Sequence, residues 1–468
     1  MLEKLRGVTV LPEYIQSEGV GALLDNLQQR ANVTAVTTSP YVMAPTTEAS
    51  GKREPPADAD AGTVRLLDRP LWGRRELYVR TSPSFVARRE LYAGLKYQPA
   101  APDDLTREQG PLVAAFLNEA RRRGLKTYLQ IQAAIPPGYR VQFGGPDDDD
   151  QPRLPNGRVP AGRVANNASL ESPHIIDYQR TLITDLCQAY PEIDGIRFDW
   201  PEYPPYSLDD VFVDFSAHVP AARDLRQEAS AWYDRLHGQL TEEDLESWSD
   251  GRTPQHGLLP GWISADFVRR WHSTKASSTE RLLRAFRDAM DAAGAAQMQV
   301  VAHAFPPPWN VHSGIDFQLL RNVVDGYCVK TYTMHWAMML KFYVDQLSAA
   351  NPHLTRPLLA RTLAAALDIV EPELLSEAHS FRYPGPDEPH PFSLAAQQRK
   401  IAAAQHDAGE TPVFALAHSY GPVDDFYSRL DAVYGASSSG IWVNRYAYLS
   451  DDKLAAMGEL FRSSRQRP

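Results

Sequence analysis

The chain has 468 residues, 43% hydrophobic and 23% charged, enough apolar material for one large core or two modest ones. A formal net charge of −10 without a concentrated Lys/Arg tract excludes the electrostatic footprint of a nucleic-acid binder. Cys187 and Cys328 belong to no C-x-x-C and read as two buried reduced thiols. No apolar leader and no bilayer-length run is visible, so a cytoplasmic protein without a membrane partner is expected.

Short β-branched or aromatic runs alternate with longer helical runs, the pattern of a parallel sheet with helical crossovers. Residues 7–15 predict the first strand, 19–30 a helix and 32–39 the second strand. Residues 48–63, rich in Pro, Ala and charge, predict an exposed loop. Helix 107–123, stopped by Gly124, feeds strand 125–131. The 133–172 stretch carries Pro136-Pro137-Gly138, Gly144-Gly145-Pro146 and Pro155-Asn156-Gly157, a turn density that forbids regular structure. Asp147 to Asp150 lack EF-hand spacing and read as a solvated turn.

Ser172-Pro173 then supplies an N-cap and first-turn proline for a helix ending near Tyr190, and strand 194–199 follows. Residues 200–262 form another insertion, with helical segments near 219–236 and 242–248. Helix 265–293 precedes strand 298–305, and helix 317–323 precedes strand 325–332. Helical material over 335–408 is interrupted by the Pro-rich 383–391; strand 412–420, helix 423–434, strand 440–446 and helix 450–461 complete the chain. Eight strands followed by helices predict an α/β fold, a (β/α)8 TIM barrel with long insertions after strands 2, 3, 4 and 6. One domain over 1–468 is expected, with 200–262 as a helical insertion. A doubly wound sheet would advertise a Gly-rich turn after the first strand, where this chain has Leu11-Pro12-Glu13-Tyr14-Ile15.

In such barrels the chemistry sits at the C-terminal ends of the strands. Alternation along the fourth strand puts Arg197 and Asp199 on one inward face, with Ile196 and Phe198 toward the helices. An inward Arg beside an inward Asp is expected to pair, keeping Asp199 ionised as a nucleophile requires. A pair that only organises the barrel mouth is the plainer alternative.

The G-x-R-x-D run Gly195-Ile196-Arg197-Phe198-Asp199 resembles the nucleophile motif of the alpha-amylase superfamily. The wider stretch, from Ser172-Pro173-His174 through Asp194 to Glu202-Tyr203-Pro204, is similar to an uncharacterised glycosyl-hydrolase-like TIM-barrel family. Trp271, Val324-Asp325-Gly326-Tyr327 and the last strand extend the likeness. The resemblance implies glycoside hydrolysis with retention. Strand five, Val300 to Phe305, lacks the superfamily's acid/base Glu, and strand seven keeps His418 without the following Asp.

Glycoside cleavage usually needs a second carboxyl group, kept protonated. Glu202, flanked by Trp200 and Tyr203, is the first candidate; Glu13, sharing a face with Thr9 and Leu11, is the second. Trp200, Tyr203, Tyr332 and Trp336 are candidate stacking surfaces for sugar. Gln130, Gln132, His303, Lys330, His335, His418 and Asn444 lie at or near strand ends and suit a polyhydroxylated ligand. Asn166 and Asn167 reach the mouth from the 133–172 loop or merely turn it. Tyr206, Trp232, Trp248 and Trp262 of the 200–262 insertion roof the site or pack their own subdomain.

The expected partner is a carbohydrate, with no cofactor and no metal, and the oligomeric state stays open, a homo-oligomer included. Two rival functions remain. A metal-dependent sugar isomerase, epimerase or lyase would use Asp199, Glu202, Glu13 and His303 as ligands, although no H-x-H or H-E-x-x-H pair is present. A non-catalytic sugar-binding barrel would keep its ligand affinity in Asp199→Asn.

Overall fold

The computed structural model describes residues 3–56 and 65–464. Eight parallel strands close into a barrel in sequential order: β1 (Leu5–Thr9), β2 (Ala35–Thr38), β3 (Lys126–Gln132), β4 (Gly195–Asp199), β5 (Gln299–Ala304), β6 (Gly326–Thr331), β7 (Val413–His418) and β8 (Gly440–Asn444). Register closes the ring from Gln130↔Arg197 between β3 and β4 to Gly7↔Trp442 between β1 and β8. Helices cover the outer face, so β6 is buried along its whole length. The long connections follow β2, β3, β4 and β6, as the spacing of strand signals predicts.

The first strand is shorter than expected. It ends at Thr9, and Pro12 opens the helix Pro12–Glu18 as its N1 residue. Proline has no N–H for a ladder but loses nothing in the first helical turn, so the chain changes state there. Glu13 therefore lies in a helix and not on a strand face.

The 48–63 region is also not simply an exposed loop. Lys52–Glu54 forms an antiparallel strand with Leu77–Pro83, which pairs in turn with Tyr41–Thr46, and Glu54 is buried. Residues 57–64 lie outside the described residues. The Asp147–Asp150 turn is solvated only in part. Asp150 is fully buried: its Oδ1 accepts from Ser172 Oγ at 2.5 Å and meets His174 Nδ1 at 2.9 Å, while Oδ2 accepts from Tyr97 OH at 2.7 Å and Lys96 Nζ at 2.6 Å. Asp149, Asp150 and His174 stand close enough to share a cation, but the Lys96 ammonium already bridges the two aspartates.

In the insertion after β4, helices Arg226–Leu236 and Glu242–Glu246 form as expected. Trp232, Trp248 and Trp262 pack on one another, and Trp248 Nε1 donates to the Leu258 carbonyl; Tyr206 alone of the named aromatics reaches the barrel mouth. Both cysteines are buried free thiols. Among the described residues no helix is long and apolar enough to cross a membrane.

Candidate active site

A cavity of about 390 Å³ opens at the C-terminal ends of the strands. Its depth is set by two inward layers of side chains. Two residues along a strand differ by roughly 6–7 Å in height, which separates Arg197 from Asp199. Arg197 lies in the lower layer, wholly buried, with its guanidinium 4.0 Å from the Trp442 ring centroid, Nη1 donating to Thr9 Oγ1 at 3.3 Å and Nη2 to Cys328 Sγ at 3.6 Å. The indole has room only because residue 7 is glycine: a Cβ there would stand 2.2 Å from Trp442. The expected Arg197–Asp199 pair is thus corrected. A shared face does not mean a shared height, and Arg197 is buried beneath the site, outside the cavity wall.

Asp199 is half-buried and lines the cavity. Its partners come from the next two strands: His303 Nδ1 of β5 at 3.0 Å and Lys330 Nζ of β6 at 3.3 Å, both on Oδ1. No hydrogen bond falls on Oδ2 among the described residues. Burial alone would raise the Asp199 carboxyl, but Lys330 and His303 outweigh it and hold it well below the usual carboxylate range. Burial pushes His303 down to about 4, against the pull of Asp199, so the imidazole is neutral near pH 7 and donates its Nδ1 proton.

Glu202 is fully buried and does not line the cavity. Its Oε2 accepts from Ser313 Oγ at 2.7 Å and from the Phe305 backbone N–H at 3.3 Å, while Oε1 stands 3.5 Å from Lys330 Nζ. Burial raises its carboxyl despite Lys330. Glu13 is walled off in the same way: Arg140 Nη1 lies at 3.0 Å, Tyr41 donates to it at 2.9 Å, and burial raises its carboxyl against the pull of Arg140. Asp199, Glu202, Glu13 and His303 do not form one ligand set. An ammonium stands between the first two, and a guanidinium covers the third.

The other expected residues divide sharply. Gln130, Gln132, Trp200, Lys330, Tyr332, His335, His418 and Asn444 all line the cavity. The Oε1 atoms of Gln130 and Gln132 and the Trp200 Nε1 are buried without a hydrogen-bond partner. His418 Nδ1 instead accepts from the Tyr420 backbone N–H at 3.1 Å, and burial holds that imidazole well below its ordinary value. Besides His303, which is buried behind Asp199 and absent from the wall, three expected residues are not brought to the cavity. Tyr203 is buried, donating to Asp214 at 3.2 Å beneath the Lys275 ammonium. Asn167 donates to the carbonyls of Trp200 and Glu202 and so holds the loop after β4, while Asn166 takes the wall position. Trp336 packs behind the wall on Trp309 and Phe392.

Sequence reasoning missed four wall arginines, Arg65, Arg140, Arg163 and Arg445. Arg445 follows β8 directly, where alternation would point it outward; a left-handed φ of 68° turns the chain instead. Trp200 leaves β4 by the same device, with φ 51°. Arg140 and Arg163 come from the turn-rich 133–172 loop, where no periodicity assigns a direction.

No family model and no curated protein sequence matches the chain. The comparison with solved structures finds a β-galactosidase from the psychrophilic Marinomonas ef1, with TM-score 0.47 and 12% identity over 99% of this chain and 59% of that one. It also finds the catalytic domain of a β-amylase from Paenibacillus polymyxa, with TM-score 0.49 and 10% identity over the whole of both chains. A class V chitinase from Pseudomonas fluorescens Pf-5 gives TM-score 0.40 and 10% identity over 97% of this chain and 99% of that one. This chain thus spans 59% of the length of the galactosidase. All three TM-scores lie below 0.5. The closed eightfold ring itself stands on the strand register.

Proposed function

We propose that the protein is a glycoside hydrolase in which Asp199 acts at the anomeric carbon. The supporting observation is that Asp199 is the one carboxylate in the described cavity wall, fastened through Oδ1 with Oδ2 left for the substrate. Unanswered amide and indole groups at Gln130, Gln132 and Trp200 surround it, as a ligand rich in hydroxyls requires.

In this reading Oδ2 attacks the anomeric carbon, and a glycosyl-enzyme ester forms as the glycosidic bond breaks. Lys330 and His303 keep the attacking group ionised. Glu202 is fully buried behind Lys330 and absent from the cavity wall, so it does not reach the leaving oxygen. That oxygen's proton is therefore assigned to another wall group. The Tyr206 hydroxyl, 3.4 Å from His335 Nδ1, is the paired donor that the cavity offers. Loss of that proton leaves a phenolate whose charge His335 shares, and the same group removes a proton from the water that hydrolyses the ester. Glu202 holds Lys330 in place.

The test is a panel of aryl glycosides and oligosaccharides offered to wild type and Asp199→Asn. Turnover by wild type that disappears in the variant supports the reading. Equal turnover in both removes the nucleophile, and tight sugar binding with no turnover in either leaves a binding protein.

A further inference from the structure

Building on the glycosidase reading, we propose that the substrate carries an anionic group, a carboxylate or a sulfate or phosphate ester, that docks against Arg445 and Arg140. Among the described residues the cavity wall holds five cationic side chains, Arg65, Arg140, Arg163, Lys330 and Arg445, against the single carboxylate of Asp199. Their counter-charges, Glu13, Glu54, Asp210 and Glu202, are buried behind them and absent from the wall. The cavity therefore presents the positive ends of its ion pairs.

Not all five are equally available. Lys330 is engaged by Asp199 and Glu202, and Arg163 by Asp210 at 3.4 Å and the Asn167 carbonyl at 2.7 Å. Arg65 reaches the Pro56 carbonyl at 3.4 Å and the Tyr448 ring at 5.6 Å. Arg140 and Arg445 share Glu54. Arg140 Nη2 bonds its Oε2, whereas Arg445 Nη1 stops 3.7 Å from Oε1, too far for a hydrogen bond. Arg445 Nη1 and Arg140 Nε are both buried with no hydrogen-bond partner among the described residues.

A buried guanidinium N–H without an acceptor is costly, and Arg445 is also held at a φ that non-glycine residues avoid. Glu13, the second carboxyl-bearing neighbour of this cluster, pairs only with Arg140, and burial pushes its carboxyl up. A neutral sugar hydroxyl answers such donors weakly. A planar or tetrahedral oxyanion fits the fork of an arginine and makes charge-assisted bonds.

The experiment reads binding apart from turnover. Catalytically silenced Asp199→Asn is titrated calorimetrically with methyl glycosides of glucose and galactose, their uronic acids, and their 6-sulfates and 6-phosphates. At least one acidic set is expected to bind roughly 10- to 100-fold tighter than its neutral parent. Which set does so separates carboxylate from ester. Adding Arg445→Asn, whose side chain tolerates a left-handed backbone, should erase that preference with the circular dichroism spectrum unchanged. Arg445→Lys should keep part of it.

Equal affinity for neutral and acidic sugars, no binding of any sugar, or a preference that survives Arg445→Asn would overturn the inference. Acidic sugars that bind without wild-type cleavage would sink the hydrolase reading and leave this one standing. Cleavage confined to neutral glycosides would do the reverse.

Discussion

Asp199 and Asp150 make an instructive pair. Each aspartate meets a lysine and a histidine, and each is held below the usual carboxylate range against the upward push of burial. Around Asp150 both oxygens are taken, by Ser172 and His174 on one side and by Tyr97 and Lys96 on the other, and the residue is absent from the wall of the site cavity. Asp199 lines that cavity with one oxygen fastened and no hydrogen bond on the other among the described residues. A depressed carboxylate is therefore not itself a mark of chemistry. The mark is the oxygen left over after the protein has finished with the group.

The sharpest way to break this contrast is to neutralise each aspartate in turn. Asp199→Asn should lower kcat by about 10³-fold or more and, because it also removes the charge that faces Lys330, lower the urea midpoint by a smaller step than loss of Asp150. Asp150→Ala should cost about 3 kcal/mol of stability in urea titration while folded enzyme still turns over. Comparable losses of activity in both would erase the distinction.

Next in size is the ammonium beside Asp199. Lys330→Met should cost roughly 100-fold in kcat. Lys330 lowers the Asp199 carboxyl, so its removal raises it. Less of the nucleophile is then ionised in acid, and the acid limb of the kcat/KM profile should move up by roughly 1–3 pH units. An unmoved limb would detach Lys330 from Asp199.

Stability in acid should follow Asp150. Its folded carboxyl is depressed, so its contribution is present above the unfolded value of about 4 and is lost as pH falls through the folded one. Asp150→Asn should flatten the loss of stability below about pH 4, measured by urea midpoints across that range.

The smallest expected effect sharpens the acid assignment. Glu202→Gln should slow activated and unactivated aryl glycosides by the same modest factor, whereas Tyr206→Phe should spare dinitrophenyl glycosides and slow those with poor leaving groups. A leaving-group dependence in Glu202→Gln would return the acid role to that residue.

Much of this architecture was legible in the residues. Parallel strands buried on both faces read as apolar runs, and turn-rich segments set the long connections, so eight strands were countable. The strand-end positions of Lys330, Gln132, His418 and Asn444 followed from alternation with a period of two. Height along the barrel did not, which is why Arg197 looked like a partner for Asp199. Nor did direction beyond a strand end: a left-handed φ at Arg445 turns that side chain against the alternation. The raised carboxyl of Glu202 was legible in its flanking aromatics, but the Lys330 ammonium that shuts it off from the cavity and the Arg140 guanidinium over Glu13 were not.

The indole of Trp442, admitted by Gly7 and capped by Arg197, stoppers the barrel from below. Inward side chains fill the barrel beneath the cavity, so in the proposed reading a sugar would enter and leave by the same mouth at the C-terminal ends of the strands. A methyl group at position 7 would collide with that indole and force it, with the guanidinium stacked on it, to shift.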